Sequence, residues 1–447
     1  MKTNSSNGEK PRRKINKISG QFSTRAINKI ARATGYIQRS KNSISPKSFL
    51  LGFMHMVSKQ RNTYQDWATE IGILEGKSYR KQALFERMQP KTERFVKQVV
   101  EETMVKQLSS EPSPKSNGLL SHFKNVMVDD STTLSLPDVL NEIFPGNMSN
   151  GKQKAQAKIH ALHNMTKNNF AFLHVHSFCD NDQSLSPNVI PYLKKGDLCL
   201  RDLGFTILDV IAEFIDKGVY FISRKSYTTK VYDVDTQNEL DLVKELRGKR
   251  FLDRQVLIGK KKMIKVRLVA LAIPDELAAI RRRKAKTDRD KRLNHSQEYY
   301  ELLGYSIYIT NVTTTQCNAK EIFQLYKLRW RIEIIFKSWK SCFSIEKIIH
   351  HQCTNAIRVK CIIYLMLLYI YLFHIVWWKH CEYKIKTGTD QAYLSILRLA
   401  SFFINHFARI IACNSDRQII NQIKIHCCYD KRNDRVNFSQ QYQKMIA

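Results

Sequence analysis

The sequence predicts an α/β protein preceded by an all-helical N-terminal region. Residues 23–106 carry apolar side chains at helical spacing, whereas from residue 123 onward the apolar residues fall into short β-type runs around one helix. Between the two textures lies "SSEPSPKSNG" (109–118), a Ser/Pro/Gly stretch that reads as a linker.

The composition narrows the function before any motif is considered. An apolar content of 43% excludes global disorder, and 447 residues leave room for more than one core. Against 73 Lys and Arg stand only 40 Asp and Glu, a formal charge of +33. Such an excess points to a polyanionic partner, either nucleic acid or an anionic membrane surface, bound in a salt-sensitive way. The charge is concentrated. Residues 1–61 hold fourteen Lys/Arg and a single acid, Glu9, and "RRRKAKTDRDKR" (281–292) forms a second basic cluster. The ten cysteines form no C-x-x-C pair, and the polar N-terminus has no apolar signal region, so reduced thiols in a cytoplasmic protein are expected. His350, His351, Cys353 and the "HCC" at 426–428 lack the paired spacing of a zinc site. One segment, "CIIYLMLLYIYLFHIVWW" (361–378), approaches membrane-spanning length. His374 interrupts it and no second such segment exists, so it reads as a buried helix, with no membrane partner.

Taken in order, residues 1–20 read as a basic arm. "SFLLGFMHMV" and "ERFVKQVVEETMV" are helical runs, and residues 63–88 between them read as helix, Gly-containing turn, helix, with Thr63 and Ser78 as N-caps. That is compatible with a helix-turn-helix presenting Arg80, Lys81, Gln82 and Arg87 to DNA, and with any pair of helices in a helical domain. Beyond the linker, strands are expected at 123–130, 157–164, 170–177, 197–202 and 219–224, with a helix at 206–218. Residues 225–310 form a basic, strand-prone insert interrupted by a charged helical stretch near 275–302. Helices return from Ala319 to about Ala412, and the end is polar, basic and without strong periodicity. The expected domains are 1–108 (helical, DNA-binding, with the arm), 109–118 (linker), 119–224 and 313–385 (two parts of one catalytic core), 225–312 (β-rich insertion) and 386–447 (helical and basic tail, with a dimerisation role).

Asp129 and Asp130 close the first apolar run, and Asp202 closes another, followed by Gly204 and a helix. Acids at strand mouths can face the crevice where ligands of α/β sheets bind, although a capping turn explains any one of them equally well. The segment "YKLRWRIEIIFKSWK" (326–340) adds a third acid. On a helical wheel Leu325, Leu328, Ile332, Ile335, Phe336 and Trp339 share one apolar stripe. Tyr326, Arg329, Glu333, Lys337 and Lys340 fall within about 80° of each other on a separate face, with Trp330 at its edge. Ion pairs at i±4 would account for Glu333 in an isolated helix, but not for two upstream aspartates in a strongly positive chain. Three carboxylates from two strands and a helix suit a pair of hard cations, Mg²⁺ or Mn²⁺, acting on a phosphodiester.

With these residues in place, the chain resembles the DDE transposases of bacterial insertion sequences, in the group with the Tyr-x2-Arg-x3-Glu-x6-Lys signature (the insertion sequence four type). Tyr326, Arg329, Glu333 and Lys340 reproduce that spacing. "DSTTL" from Asp130 is similar to the first acidic motif, a register favouring Asp130 over Asp129, and "RDLGF" with "GVYFISR" ending at Arg224 is similar to the second. The resemblance implies a ribonuclease H-like core with a β-rich insertion, and Asp130, Asp202 and Glu333 as ligands of two Mg²⁺ ions for which Mn²⁺ can substitute. It implies a DNA grip by Tyr326, Arg329 and Lys340, to which Lys337, Trp330 and Arg224 are added. It further implies binding of terminal inverted repeats and target DNA, a synaptic homodimer, and cut-and-paste chemistry at the bacterial nucleoid. A transposase-derived DNA-binding protein or inhibitor without catalysis is the alternative, and a structure-selective nuclease a further one.

Overall fold

The computed structural model describes residues 23–38, 44–110, 118–287, 295–374, 393–412, 416–429 and 445. The basic arm, the centre of the linker, part of the second basic cluster and the end of the apolar 361–378 segment lie outside them. In chain order the helices α1 (Thr24–Ala33), α2 (Pro46–Ser58), α3 (Tyr64–Glu75), α4 (Lys81–Arg87) and α5 (Pro90–Ser110) come first. Then follow β1 (Val126–Leu136), β2 (Pro145–Ser149), β3 (Lys152–Asn164), β4 (Asn169–Ser177), α6 (Asp182–Leu185), β5 (Leu198–Arg201), α7 (Leu208–Asp216) and β6 (Tyr220–Arg224). Next are β7 (Val231–Tyr232), α8 (Leu242–Leu246), β8 (Phe251–Ile258), β9 (Ile264–Ala272), α9 (Asp275–Lys286), α10 (Gln297–Leu302) and β10 (Tyr305–Thr310). The chain continues with α11 (Ala319–Lys327), α12 (Trp330–Ser341), α13 (Ala356–Leu372), α14 (Ile396–Asn405), α15 (Phe407–Ala412) and α16 (Asp416–His426). Two compact units result, one within 1–103, 135–155 and 334–439, the other within 104–134, 156–333 and 440–447.

In the first unit the helices begin where the polar caps stand. The side chains of Ser23, Ser45 and Thr63 accept backbone N–H bonds from Ala26, Ser48 and Asp66. Gly76, at φ 65°, ends α3 in the left-handed conformation. Ser78 does not cap the following helix. The Tyr79 hydroxyl donates back to Glu75 Oε2 at 2.5 Å, residues 78–80 form no helix, and α4 starts only after Arg80, whose backbone is extended and whose side chain makes no cap bond. Trp67 anchors the core, packed on Phe49 and Phe53 and donating from Nε1 to the Phe49 carbonyl at 3.0 Å. Helix α13 buries every residue from Cys361 to Leu372, which accounts for its uniform apolarity. No helix among the described residues is long and apolar enough to cross a membrane. The C-terminal stretch holds more order than its polarity suggests: α16 buries Ile419, Ile420 and Ile423 along one side.

The second unit is built on a mixed sheet in the order β3-β1-β5-β6-β10-β9-β8-β7, with β4 also on β3; in the first unit β2 pairs antiparallel with the opening residues of β3. Strands β1, β5 and β6 run parallel, with α7 between β5 and β6, and their paired centres (Val126–Val128, Leu198–Leu200 and Phe221–Ile222) are buried apolar runs. Strands β10, β9, β8 and β7 continue the same sheet antiparallel. In register across the parallel strands, Met127, Cys199 and Phe221 pack with Val210, Ile211 and Phe214 of α7. Side chains alternate along a strand, so this register decides which acids enter the core and which leave it.

Candidate active site

Asp129 and Asp130 are neighbours with opposite fates. Asp129 is fully buried on the α7 side, where Oδ1 lies 2.6 Å from His160 Nε2 and Oδ2 accepts from Arg201 Nε at 2.8 Å. Burial would raise its pKa, but the Arg201 guanidinium and His160 outweigh it and hold the carboxyl below its usual value. Asp130 turns to the other face and is only partly covered. Its strand does not stop there. β1 runs on to Leu136, carried by β-favouring residues such as Thr132 and Thr133, so Asp130 stands mid-strand, just past the last residue paired with β5.

Asp202 follows directly on the end of β5. Two residues later Gly204 approaches Asp182 closely: a Cβ there would lie 2.9 Å from Asp182 Oδ2, and the Asp182 side chain would have to shift. Asp182 in turn accepts from Ser131 Oγ at 2.9 Å and from Lys158 Nζ at 3.0 Å. This fourth carboxylate, beside Ser131 of β1 and the turn that follows Asp202, belongs to no sequence motif.

The polar segment expected as one helix is two. α11 ends at Lys327 and α12 begins at Trp330, with Leu328 and Arg329 at the junction, where N–H bonds run to the third residue back. The apolar stripe survives the break: Leu325, Leu328, Ile332, Ile335, Phe336 and Trp339 are all buried. Of the polar grouping, Tyr326, Arg329 and Glu333 stay together at the site. Arg329 donates from Nη1 to Asp130 Oδ2 at 2.8 Å and from Nη2 to Glu333 Oε1 at 2.6 Å, and Nη2 lies 3.8 Å from Asp202 Oδ2. The Tyr326 hydroxyl donates to Asp202 Oδ1 at 3.2 Å.

The electrostatics follow from that convergence. Burial pushes the Asp130 carboxyl up to about 7; Arg329 opposes the shift, and the nearby Asp202 and Asp129 add to it. For Arg329 burial alone would favour the neutral form, but Tyr326, Asp202, Asp130 and Glu333 outweigh it and raise the pKa. Tyr326 is raised by its burial and by Asp202, so it remains a neutral hydrogen-bond donor.

The other sequence candidates are more dispersed. Arg224 is exposed at the end of β6, opposite Tyr308 of β10, and Trp330 is 61% exposed. In the first unit Lys337 is exposed and Lys340 Nζ lies 3.9 Å from Glu346. Arg80 and Lys81 are exposed there, while Arg87 is half-buried with its guanidinium 5.4 Å from the Tyr36 ring centroid. Asp130, Asp202, Tyr326, Arg329 and Glu333 are thus the five that meet. Among the described residues no three His, Cys, Asp or Glu stand grouped to hold a metal ion. The donor chemistry nonetheless suits a hard divalent cation: three carboxylates surround one buried positive charge, here a guanidinium.

The chain is similar to known proteins over much of its length. The family described as Transposase DDE domain matches residues 121–372. The transposase for insertion sequence element IS231F of Bacillus thuringiensis subsp. israelensis is 29% identical over 311 residues, covering 65% of this chain and 64% of that protein. The alignment therefore spans slightly less than two thirds of the relative's length. The transposase for insertion sequence element IS1151 of Clostridium perfringens is 27% identical over 355 residues, covering 74% of each chain. A solved piggyBac transposase synaptic complex with hairpin DNA aligns over 95% of this chain and 86% of that chain, at 7% identity and a TM-score of 0.43. With more than half its length matched, including both aspartates, Arg329 and Glu333, the chain belongs to the transposase DDE domain family.

Proposed function

We propose that the chain is a DNA transposase of the insertion sequence four type, which cleaves DNA at the ends of its element and joins them to target DNA. The observation that carries this reading is the meeting of Asp130, Asp202 and Glu333, from distant parts of the sequence, around Arg329. In this reading residues 119–224 and 313–385 are a ribonuclease H-like core, 225–312, with β7–β10 and α8–α10, a basic β-rich insertion, and 1–108 a DNA-binding domain. Two copies bring two transposon ends together in the bacterial cytoplasm, at the nucleoid.

Family members generally use divalent metal ions. Asp130, Asp202 and Glu333 would hold two Mg²⁺ ions, with Mn²⁺ as a substitute, and such ions supply activation of the attacking oxygen and stabilisation of the leaving one. The chain's own groups bind and orient. Tyr326 keeps a neutral hydroxyl on Asp202 and fixes that carboxylate. Arg329, Lys337 and Lys340 offer cationic donors to backbone phosphates, and Trp330 and Arg224, both exposed, offer further DNA contacts. A water oxygen attacks the phosphodiester at the element's end and releases a 3′-hydroxyl. That hydroxyl attacks a target phosphodiester, and the broken target strand leaves with its own 3′-hydroxyl.

The test uses the full chain with linear DNA bearing the inverted repeats that flank its gene. Mg²⁺-dependent nicking at the repeat boundary is the expected result. Tight binding of the ends without cleavage at any divalent-ion concentration would instead support the inactive, DNA-binding reading.

A further inference from the structure

The buried pair behind the site has no part in the chemistry above. Asp129 and Arg201 are register partners on the adjacent parallel strands β1 and β5, and each immediately precedes one of the two site aspartates. Both are almost completely shielded from solvent, at 0% and 2% exposure. Arg201 grips one carboxylate oxygen with Nε at 2.8 Å and Nη2 at 2.7 Å, while His160 takes the other at 2.6 Å. The same guanidinium donates to the Ser186 carbonyl at 3.0 Å and lies over the rings of Phe205 and Phe214. Phe205, three residues past Asp202, stacks on the His160 ring, and its carbonyl accepts from Ser186 Oγ at 2.8 Å. The grip therefore holds both strands and the turn that carries Asp202.

A buried ion pair gains little stability over an apolar pair of the same volume, so core packing alone does not explain it. It does specify register. A slip of one residue between β1 and β5 would break both Arg201 bonds and send Asp130 toward the core in place of Asp129. We propose that Asp129 and Arg201, braced by His160, are positioning residues that lock β1 to β5 in the one register placing Asp130 and Asp202 side by side on the opposite face. This rests on the functional reading of those two acids.

The test compares the wild-type chain, the apolar double variant D129L/R201M and Arg201→Lys, all at full length. Far-UV circular dichroism and thermal melting check folding, calorimetry measures binding of Mn²⁺ alone, and kcat and KM are read on end-bearing DNA. The double variant is expected to fold and to keep the wild-type KM for DNA. Its Mn²⁺ affinity should fall about 10- to 100-fold and its kcat about 100-fold, with Arg201→Lys in between. A folded double variant with wild-type Mn²⁺ affinity and kcat would overturn the inference, as would failure of both variants to fold, which would make the pair a stability element. The Mn²⁺ measurement decides the matter even if the wild-type chain cuts no DNA, a result that overturns only the proposed function. A wild-type chain that binds no Mn²⁺ would overturn both.

Discussion

Arg329 Nη1 sits 2.8 Å from Asp130 Oδ2, so an acid expected to hold a metal ion is paired with a guanidinium that is itself 7% exposed. A divalent ion must compete with Arg329 for the same carboxylates. Arg329→Gln is therefore expected to lower the melting temperature in EDTA, by a loss of about 1–3 kcal/mol. It should also enlarge the upward shift that Mn²⁺ produces, because binding to the folded state stabilises it by mass action. Thermal melts with and without Mn²⁺ check both; a larger Mn²⁺ shift in the wild type would contradict the competition.

The raised pKa of Asp130 makes the metal-free chain pH-sensitive. The folded carboxyl titrates near 7, against an unperturbed value of 3.8 for the unfolded chain, so folding takes up a proton between those values. The contribution of this group to stability is present at low pH and is lost as pH rises from about 4 to 7. Asp130→Asn removes it. In EDTA the variant's melting temperature, relative to wild type, should climb between pH 5 and 7.5; a constant difference would refute the assignment.

The two tryptophans of α12 separate stability from binding. Trp339 is fully buried and donates from Nε1 to His374 Nε2 at 3.3 Å, so Trp339→Ala should cost about 3–5 kcal/mol. Trp330 projects into solvent, and Trp330→Ala should change stability by no more than about 0.5 kcal/mol while weakening DNA binding. Denaturant melts and fluorescence anisotropy with end DNA distinguish the two outcomes.

With a formal charge of +33, end binding should weaken steeply with salt. Among the described residues the acidic contact of Lys340 is the long 3.9 Å one to Glu346, a weak competitor for a phosphate. Lys337→Ala and Lys340→Ala should each reduce the slope of log K against log salt by about one, with little change between DNA sequences. An unchanged slope would remove that lysine from the DNA grip.

Much of this architecture is legible in the sequence because the strands are written as short apolar runs and the two helical regions as periodic ones. The Tyr-Arg-Glu spacing was equally readable: it keeps Tyr326, Arg329 and Glu333 on one side even across the break at Leu328 and Arg329. The break itself left no signal, since neither residue is a helix breaker. Asp129 and Asp130 cannot be told apart locally. Strand alternation says that one must face inward, but the choice depends on Arg201, 72 residues away, and on His160 of β3. Asp182 is hidden for the same reason, since its partner Ser131 lies 51 residues away, whereas the later start of α4 goes with a local contact, Tyr79 to Glu75, that competes with the cap expected at Ser78.

The central claim is that Asp130, Asp202 and Glu333 are one metal-dependent catalytic site, and cleavage by Glu333→Gln tests it most directly. This variant is expected to fold, to bind end DNA like the wild type, and to nick it at least about a thousandfold more slowly at saturating Mg²⁺. Cleavage at the wild-type rate by the folded variant would contradict the claim.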